Sequence, residues 1–215
     1  MIVDNTIILG DCLEVMKQIP DKSIDLVLTD PPYGIGYDRQ QSKMADNGRV
    51  SNGGKWKKYK KTEWDNKTPN KIVFDEIIRV SKNQIIFGGN YFNYLHLGGV
   101  IIWYKGSNGK LKEGELAKTS FNTFRVFYMS RTDAYINNGM DKQHPTQKPV
   151  ELMKWCLDNY SKEGQTILDP FAGSGTTAIA CHDLKRNFIC IEKEPEYHRI
   201  ATDRYNTHKA QLNLF

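Results

Sequence analysis

At 215 residues, 39% hydrophobic and 26% charged, the chain has the make-up of one globular domain, 1–215, with a buried core. Its apolar runs, such as "VIIW" at Val100–Trp103, are too short to span a bilayer, and "MIVDNTIILGD" lacks the basic start and cleavage site of a signal peptide, so a soluble cytoplasmic protein is expected. The formal charge of +5 is modest, and the four cysteines lie far apart in no zinc-ligand spacing, which predicts buried small hydrophobes and no metal site.

In chain order, the first β-rich run, Thr6–Leu9, leads through "GDC" into the helical pattern "CLEVMKQI". The second run, Ile24–Thr29, stops abruptly at "DPPYG". Proline cannot continue a central strand or enter a helix interior, so Asp30 and Tyr33 are presented at a strand end and stiffened by Pro31 and Pro32. Residues 37–67 follow as a polar stretch too long for a simple connection. Within it "KWKKYKK" sets Lys55, Lys57, Lys58, Lys60 and Lys61 beside Trp56 and Tyr59. A charge run is usually a solvated face, but lysines interleaved with aromatics also suit a nucleic acid, meeting phosphates with ammonium groups and bases with rings.

The helix "NKIVFDEIIRVS" comes next, then strands at Gln84–Gly88 and Val100–Tyr104, a small insertion from Lys105 to Thr123 that opens "KGSNGK", and a strand at Phe124–Met129. After "HPTQKP" at His144–Pro149 the chain runs helix, strand, glycine-rich turn, helix, strand, helix, with strands at Thr166–Asp169 and Asn187–Ile191. Seven strands alternating with helices predict an α/β fold, a doubly wound, mostly parallel sheet covered on both faces. In "ILDPFAGSGTTAIA" the glycines permit close approach of backbone to a ligand at a helix N-terminus, and the next strand ends about twenty residues on in an acid, Glu192, placed to hold a ribose. No GK[ST] ending and no third glycine follow, so a nucleoside without a diphosphate is expected.

Three motifs together, "DPPY" at Asp30–Tyr33, "HPTQKP" at His144–Pro149 and "DPFAGSGTT" at Asp169–Thr177, resemble those of the amino-group DNA methyltransferases, which transfer a methyl group from S-adenosyl-L-methionine to adenine N6 or cytosine N4. The catalytic motif precedes the cofactor motif, as in the circularly permuted β group. The resemblance implies a Rossmann-like methyltransferase fold in which Thr6–Leu9 lies beside Phe188–Ile191. It implies that Asp30 and the Pro31 carbonyl accept the two hydrogens of a flipped-out base's amino group, with Pro32 holding them rigid and Tyr33 stacking on the base. For S-adenosyl-L-methionine it implies Asp169, Phe171, Gly173 and Gly175 around the methionine part, Glu192 on the ribose, Asp11 and the Cys12 backbone at the adenine, and Thr146 and Lys148 near the methionine carboxylate. His144 is expected to be structural.

Asp rather than Ser at position 30 favours adenine over cytosine within this resemblance. Cytosine N4, an RNA amino group, or a non-catalytic nucleic-acid-binding subunit stay open as alternatives. The implied partners are double-stranded DNA and a second copy of the chain, in a bacterial or phage-encoded restriction-modification setting. Target recognition falls to the short segment 105–141, with residues 37–67 contributing phosphate contacts.

Overall fold

The computed structural model describes residues 4–36, 50–51, 54–55, 65–106, 113–137 and 147–212. The expected strands are present as β1 (Thr6–Leu9), β2 (Ile24–Thr29), β5 (Ser81–Phe87), β6 (Gly99–Tyr104), β8 (Phe124–Tyr128), β9 (Thr166–Asp169) and β10 (Asn187–Glu192). The main sheet has eight strands rather than seven, because Gly114–Thr119 forms β7 inside what the sequence suggested was an insertion. "GELAKT" offers only two apolar residues, too few to mark a strand by pattern alone. It is held there by antiparallel pairing on both sides, with β5 and β6. A separate two-stranded ribbon pairs β3 (Val50–Ser51) with β4 (Gly54–Lys55).

The sheet order is β1-β10-β9-β2-β5-β7-β6-β8, and every neighbouring pair apart from the two involving β7 is parallel. Parallel strands need crossovers, and helices supply them: α1 (Cys12–Met16), α2 (Lys71–Val80), α4 (Val150–Tyr160) and α5 (Thr176–Asp183), while α6 (Pro195–Leu212) follows the last strand and packs against β1, β10 and α5. A short helix α3, Arg131–Asn137, was not foreseen. Among the described residues no helix is long and apolar enough to cross a membrane.

The central strands bury both faces. Along β2, Leu26 and Leu28 join Phe87, Leu152, Cys156 and Phe188 on one side, while Val27 joins Met16, Phe74, Ile77 and Ile189 on the other. Each such side chain contributes about 1.5–3 kcal/mol by leaving water, so the two-sided core fixes which strands are central. Cys156, Cys181 and Cys190 are buried and unpaired, as small hydrophobes should be. Connections diverge on either side of the β9–β2 pair, so that the carboxyl ends of these two strands face a crevice at the switch point of the sheet, where open α/β folds bind ligands. The pairing of Thr6–Leu9 with Ile189–Glu192 brings Gly10 and Asp11 to the same edge.

Candidate active site

Asp169 ends β9 and Thr29 ends β2, and the two strand ends are tied together through one carboxylate. Oδ1 of Asp169 accepts from Thr29 Oγ1 at 2.7 Å and from the Phe171 N–H at 3.1 Å, while Oδ2 accepts from Thr177 Oγ1 at 2.6 Å. Burial pushes this carboxyl up to about 6 against the pull of the two hydroxyls. Asp169 is therefore a brace: it fixes the glycine-rich turn to the residue that precedes Asp30.

The prolines carry the chain out of β2 so that the Asp30 carboxylate meets two donors, the Tyr33 hydroxyl on Oδ1 and the Lys148 ammonium on Oδ2. Burial raises the Asp30 carboxyl, opposed chiefly by the Lys148 charge. Tyr33 lies parallel to Tyr91, with ring centroids 4.7 Å apart and planes 9° from each other. Its pKa is raised well above the phenolic range by burial and then by the Asp30 charge. Beneath it, Gly88 has a φ of +67°, and a Cβ there would stand 2.0 Å from Tyr33 Cε1. The loop is pinned from outside by Asp65, only 1% exposed, whose Oδ1 accepts from the N–H groups of Tyr33 and Gly34 at 2.8 and 2.9 Å.

A cavity of about 580 Å3, within the range of small-molecule sites, opens between these elements. Asp30, Pro32 and Lys148 line one end, Phe171, Gly173 and Glu192 the middle, and Asp11, Cys12 and Leu13 the other end. Glu192 organises the turn: its two oxygens accept from the N–H groups of Gly173 (2.8 Å) and Glu194 (2.9 Å). Burial lifts it to about 7, against those two hydrogen bonds. Asp11 caps α1 by accepting from the Leu13 N–H at 3.0 Å and pairs with Lys193 at 3.1 Å; these contacts outweigh burial and keep its carboxyl below the usual range. Burial pushes the Cys12 thiol up to about 12, so Cys12 offers backbone and bulk, not a thiolate. Gly173 and Gly175 both have positive φ, +55° and +75°. Behind the turn Arg204 of α6 donates to the Ser174 carbonyl at 2.9 Å and to Thr176 Oγ1 at 3.2 Å.

Asp11, Cys12, Asp30, Pro32, Lys148, Asp169, Phe171, Gly173 and Glu192, all named from sequence, thus meet in one crevice. Pro31, Tyr33 and Gly175 stand outside the cavity wall. Tyr33 packs on Tyr91 beside Asp30, and Gly175 sets the start of α5 against Ala201 of α6. Lys148 was expected at the cofactor's carboxylate and is found on Asp30. Thr146, His144, Lys57, Lys58, Lys60 and Lys61 lie outside the described residues, and Lys55 is placed only as backbone of β4. Sequence reasoning missed Asp65, Gly88, Glu115 and Arg204. The pair Gly88-Gly89 directly after an apolar strand was a readable signal of close approach. Away from the crevice, Asp183 is held by Lys154 at 2.6 Å and His208 at 2.5 Å, a cluster with His182 that ties α4, α5 and α6 together.

A family model described as DNA methylase matches residues 24–203, nearly the whole of this architecture. The chain belongs to the DNA methylase family. Among relatives of this amino-methyltransferase, the type II methyltransferase M.HinfI of Haemophilus influenzae is 28% identical, covering 97% of this chain and 70% of that protein. M.HpaI of Haemophilus parainfluenzae, also a type II methyltransferase, is 26% identical over 95% of this chain and 75% of its own length. Of solved structures, M1.HpyAVI in complex with S-adenosyl-L-methionine superposes with a TM-score of 0.60 at 21% identity, covering 94% of this methylase and 98% of that chain. The cytosine-N4-specific PvuII DNA methyltransferase superposes with a TM-score of 0.63 at 15% identity, covering 94% and 86%. These likenesses agree with the permuted, mostly parallel fold.

Proposed function

We propose that this methylase transfers a methyl group from S-adenosyl-L-methionine to the N6 amino group of a flipped-out adenine in a short DNA sequence, as the modification partner in a restriction-modification setting. The observation that carries this reading is the position of Asp30: a carboxylate only 16% exposed at the carboxyl end of a central strand, opening into the same cavity as the glycine-rich turn and Glu192. The cavity fits the cofactor by its donor set. The Glu192 oxygens retain lone pairs for ribose hydroxyls, Asp11 lines the same cavity as a further acceptor for the adenine amino group, and Gly173 leaves its wall without a side chain. When bound, the cofactor supplies an electrophilic methyl group on a sulfonium.

The exocyclic nitrogen of adenine is a poor nucleophile because its lone pair is drawn into the ring. Asp30 and the Pro31 carbonyl, accepting its two hydrogens, favour a more tetrahedral nitrogen with its lone pair free. The rigid prolines keep these acceptors fixed, since about an ångström of misplacement can cost roughly a hundredfold in rate. As the nitrogen–methyl bond forms, the methyl–sulfur bond would break with its electron pair left on a neutral thioether, and the nitrogen gives up one proton. Asp30, whose buried carboxyl binds protons more readily than an exposed one, holds that proton until solvent takes it. In the free protein each Asp30 oxygen already accepts one hydrogen bond, from the Tyr33 hydroxyl or the Lys148 ammonium, so the amino group competes with these two donors for the carboxylate. Displaced from Asp30, Tyr33 is available to stack on the base. The lysine-rich run Lys55–Lys61 supplies phosphate contacts that position the duplex without reading it.

The test is to express the protein in cells lacking other methylases and to sequence their DNA by a method that distinguishes N6-methyladenine from N4-methylcytosine. Full adenine modification of one short motif is expected. Methylated cytosine alone would replace the adenine assignment, as the likeness to a cytosine-N4 enzyme allows.

A further inference from the structure

The Lys148 ammonium serves two partly buried carboxylates. Besides Asp30 it stands 3.0 Å from Oε2 of Glu115, and its side chain is only 5% exposed. Glu115 belongs to β7, opposite Trp103 of β6, within the stretch expected to read DNA. Its other oxygen, Oε1, accepts from Lys105, whose ammonium lies 4.0 Å above the Trp103 ring. Oε2 is buried and, among the described residues, has no hydrogen bond of good angle, although Lys148 is within reach. Two carboxylates and two ammonium groups thus meet in a site only partly open to water, with the Lys148 side chain the least exposed of the four. Burial works to raise the Glu115 carboxyl, yet the charges of Lys148 and Lys105 overcome it and hold it at about 2.

Resting on the proposed role of Asp30, this arrangement raises a physical problem. An ammonium left on Asp30 blocks an acceptor and weakens its basicity, while an ammonium simply expelled from Asp30 would be an unpaired buried charge, which costs several kcal/mol. We propose that Glu115 is a positioning residue that takes over the Lys148 ammonium when the target amino group arrives, freeing Asp30 without stranding the lysine. The incomplete hydrogen bond at Oε2 is the place kept for it. The movement needed is small, because the ammonium already lies within ion-pair distance of both carboxylates. Lys105, bonded to Oε1, keeps Glu115 from turning away.

The experiment is a double-mutant cycle of E115Q and K148M, read by single-turnover methyl transfer to duplex carrying the mapped site. Gln keeps the shape of Glu115 and removes the charge that attracts Lys148. E115Q is expected to slow transfer at least tenfold in the wild-type background and less than twofold in the K148M background, and in each background to leave cofactor affinity within twofold of the protein that keeps Glu115. Base entry, followed by 2-aminopurine fluorescence at the target position, should fall in E115Q and recover in the double variant, a readout that survives even if K148M transfers too slowly to time. A wild-type rate in E115Q overturns the proposal, as does the same loss in both backgrounds or a loss matched by weakened cofactor binding. Failure of the underlying reading shows separately, as undiminished transfer by D30A.

Discussion

Replacing Glu192 by Gln should change how stability depends on pH, and the sign follows from the site. The folded carboxyl titrates near 7 instead of its ordinary 4.5 because it is buried, its two backbone hydrogen bonds only partly compensating. The folded state therefore holds the proton more tightly than the unfolded state. Stability is fully present below about 4.5 and is lost as pH rises towards 7. At roughly 1.4 kcal/mol per pH unit, the full displacement is worth about 3 kcal/mol. Asp169, raised to about 6, adds a loss of the same sign at lower pH in both proteins and cancels from the comparison. Urea unfolding of ligand-free wild type and E192Q from pH 4.5 to 8 should show wild type losing about 3 kcal/mol relative to the variant. Cofactor binding should run the other way, because ribose hydroxyls favour the ionised acceptor. Wild-type affinity should be about tenfold weaker at pH 6 than at pH 8 by the change in ionised fraction, and E192Q, weaker throughout, should be flat. Parallel stability curves for the two proteins would refute the claim that Glu192 is a buried, proton-holding carboxyl.

Gly88→Ala should lower methyl transfer sharply while sparing cofactor binding, because its Cβ would meet the Tyr33 ring at 2.0 Å and its φ of +67° costs a side chain about 1–2 kcal/mol; single-turnover rates and calorimetry separate the two effects. Gly173→Val should weaken cofactor binding by filling the cavity wall at a φ of +55°, and an unchanged affinity by calorimetry would place the cofactor elsewhere. Replacing Lys55, Lys57, Lys58, Lys60 and Lys61 with Gln should flatten the slope of log affinity against log salt by about 0.9 for each phosphate no longer neutralised, equally on target and random duplex; an unchanged slope would make the run a solvated surface.

The parts of this fold legible in sequence are those where one local pattern decides the outcome. "IDLVLT" is a short, mostly apolar run that Pro31 and Pro32 follow after a single Asp, so a central strand and its stop were both readable. The turn "FAGSG" carries its own conformational demand, met by positive φ at Gly173 and Gly175. β7 escaped because its strand character comes from pairing with β5 and β6, not from "GELAKT" itself. Glu115 escaped for the same reason: a glutamate in a polar stretch looks solvated until the fold sets it against Lys148 and Lys105. Asp65 reads as the tail of a basic loop, yet its side chain anchors the backbone of the "DPPYG" loop through hydrogen bonds more than thirty positions away in sequence. Long-range polar interactions of this kind leave no periodic trace.

In the proposed reaction Asp30 accepts from the target amino group and takes no part in holding the cofactor. Single-turnover methyl transfer by D30A, measured beside its S-adenosyl-L-methionine affinity, tests it most directly. Loss of one preorganised electrostatic partner is worth about 10²–10³ in rate, so transfer should fall by at least about that factor with cofactor affinity within about threefold of wild type. Transfer at the wild-type rate, or a loss accounted for by weaker cofactor binding, would contradict it.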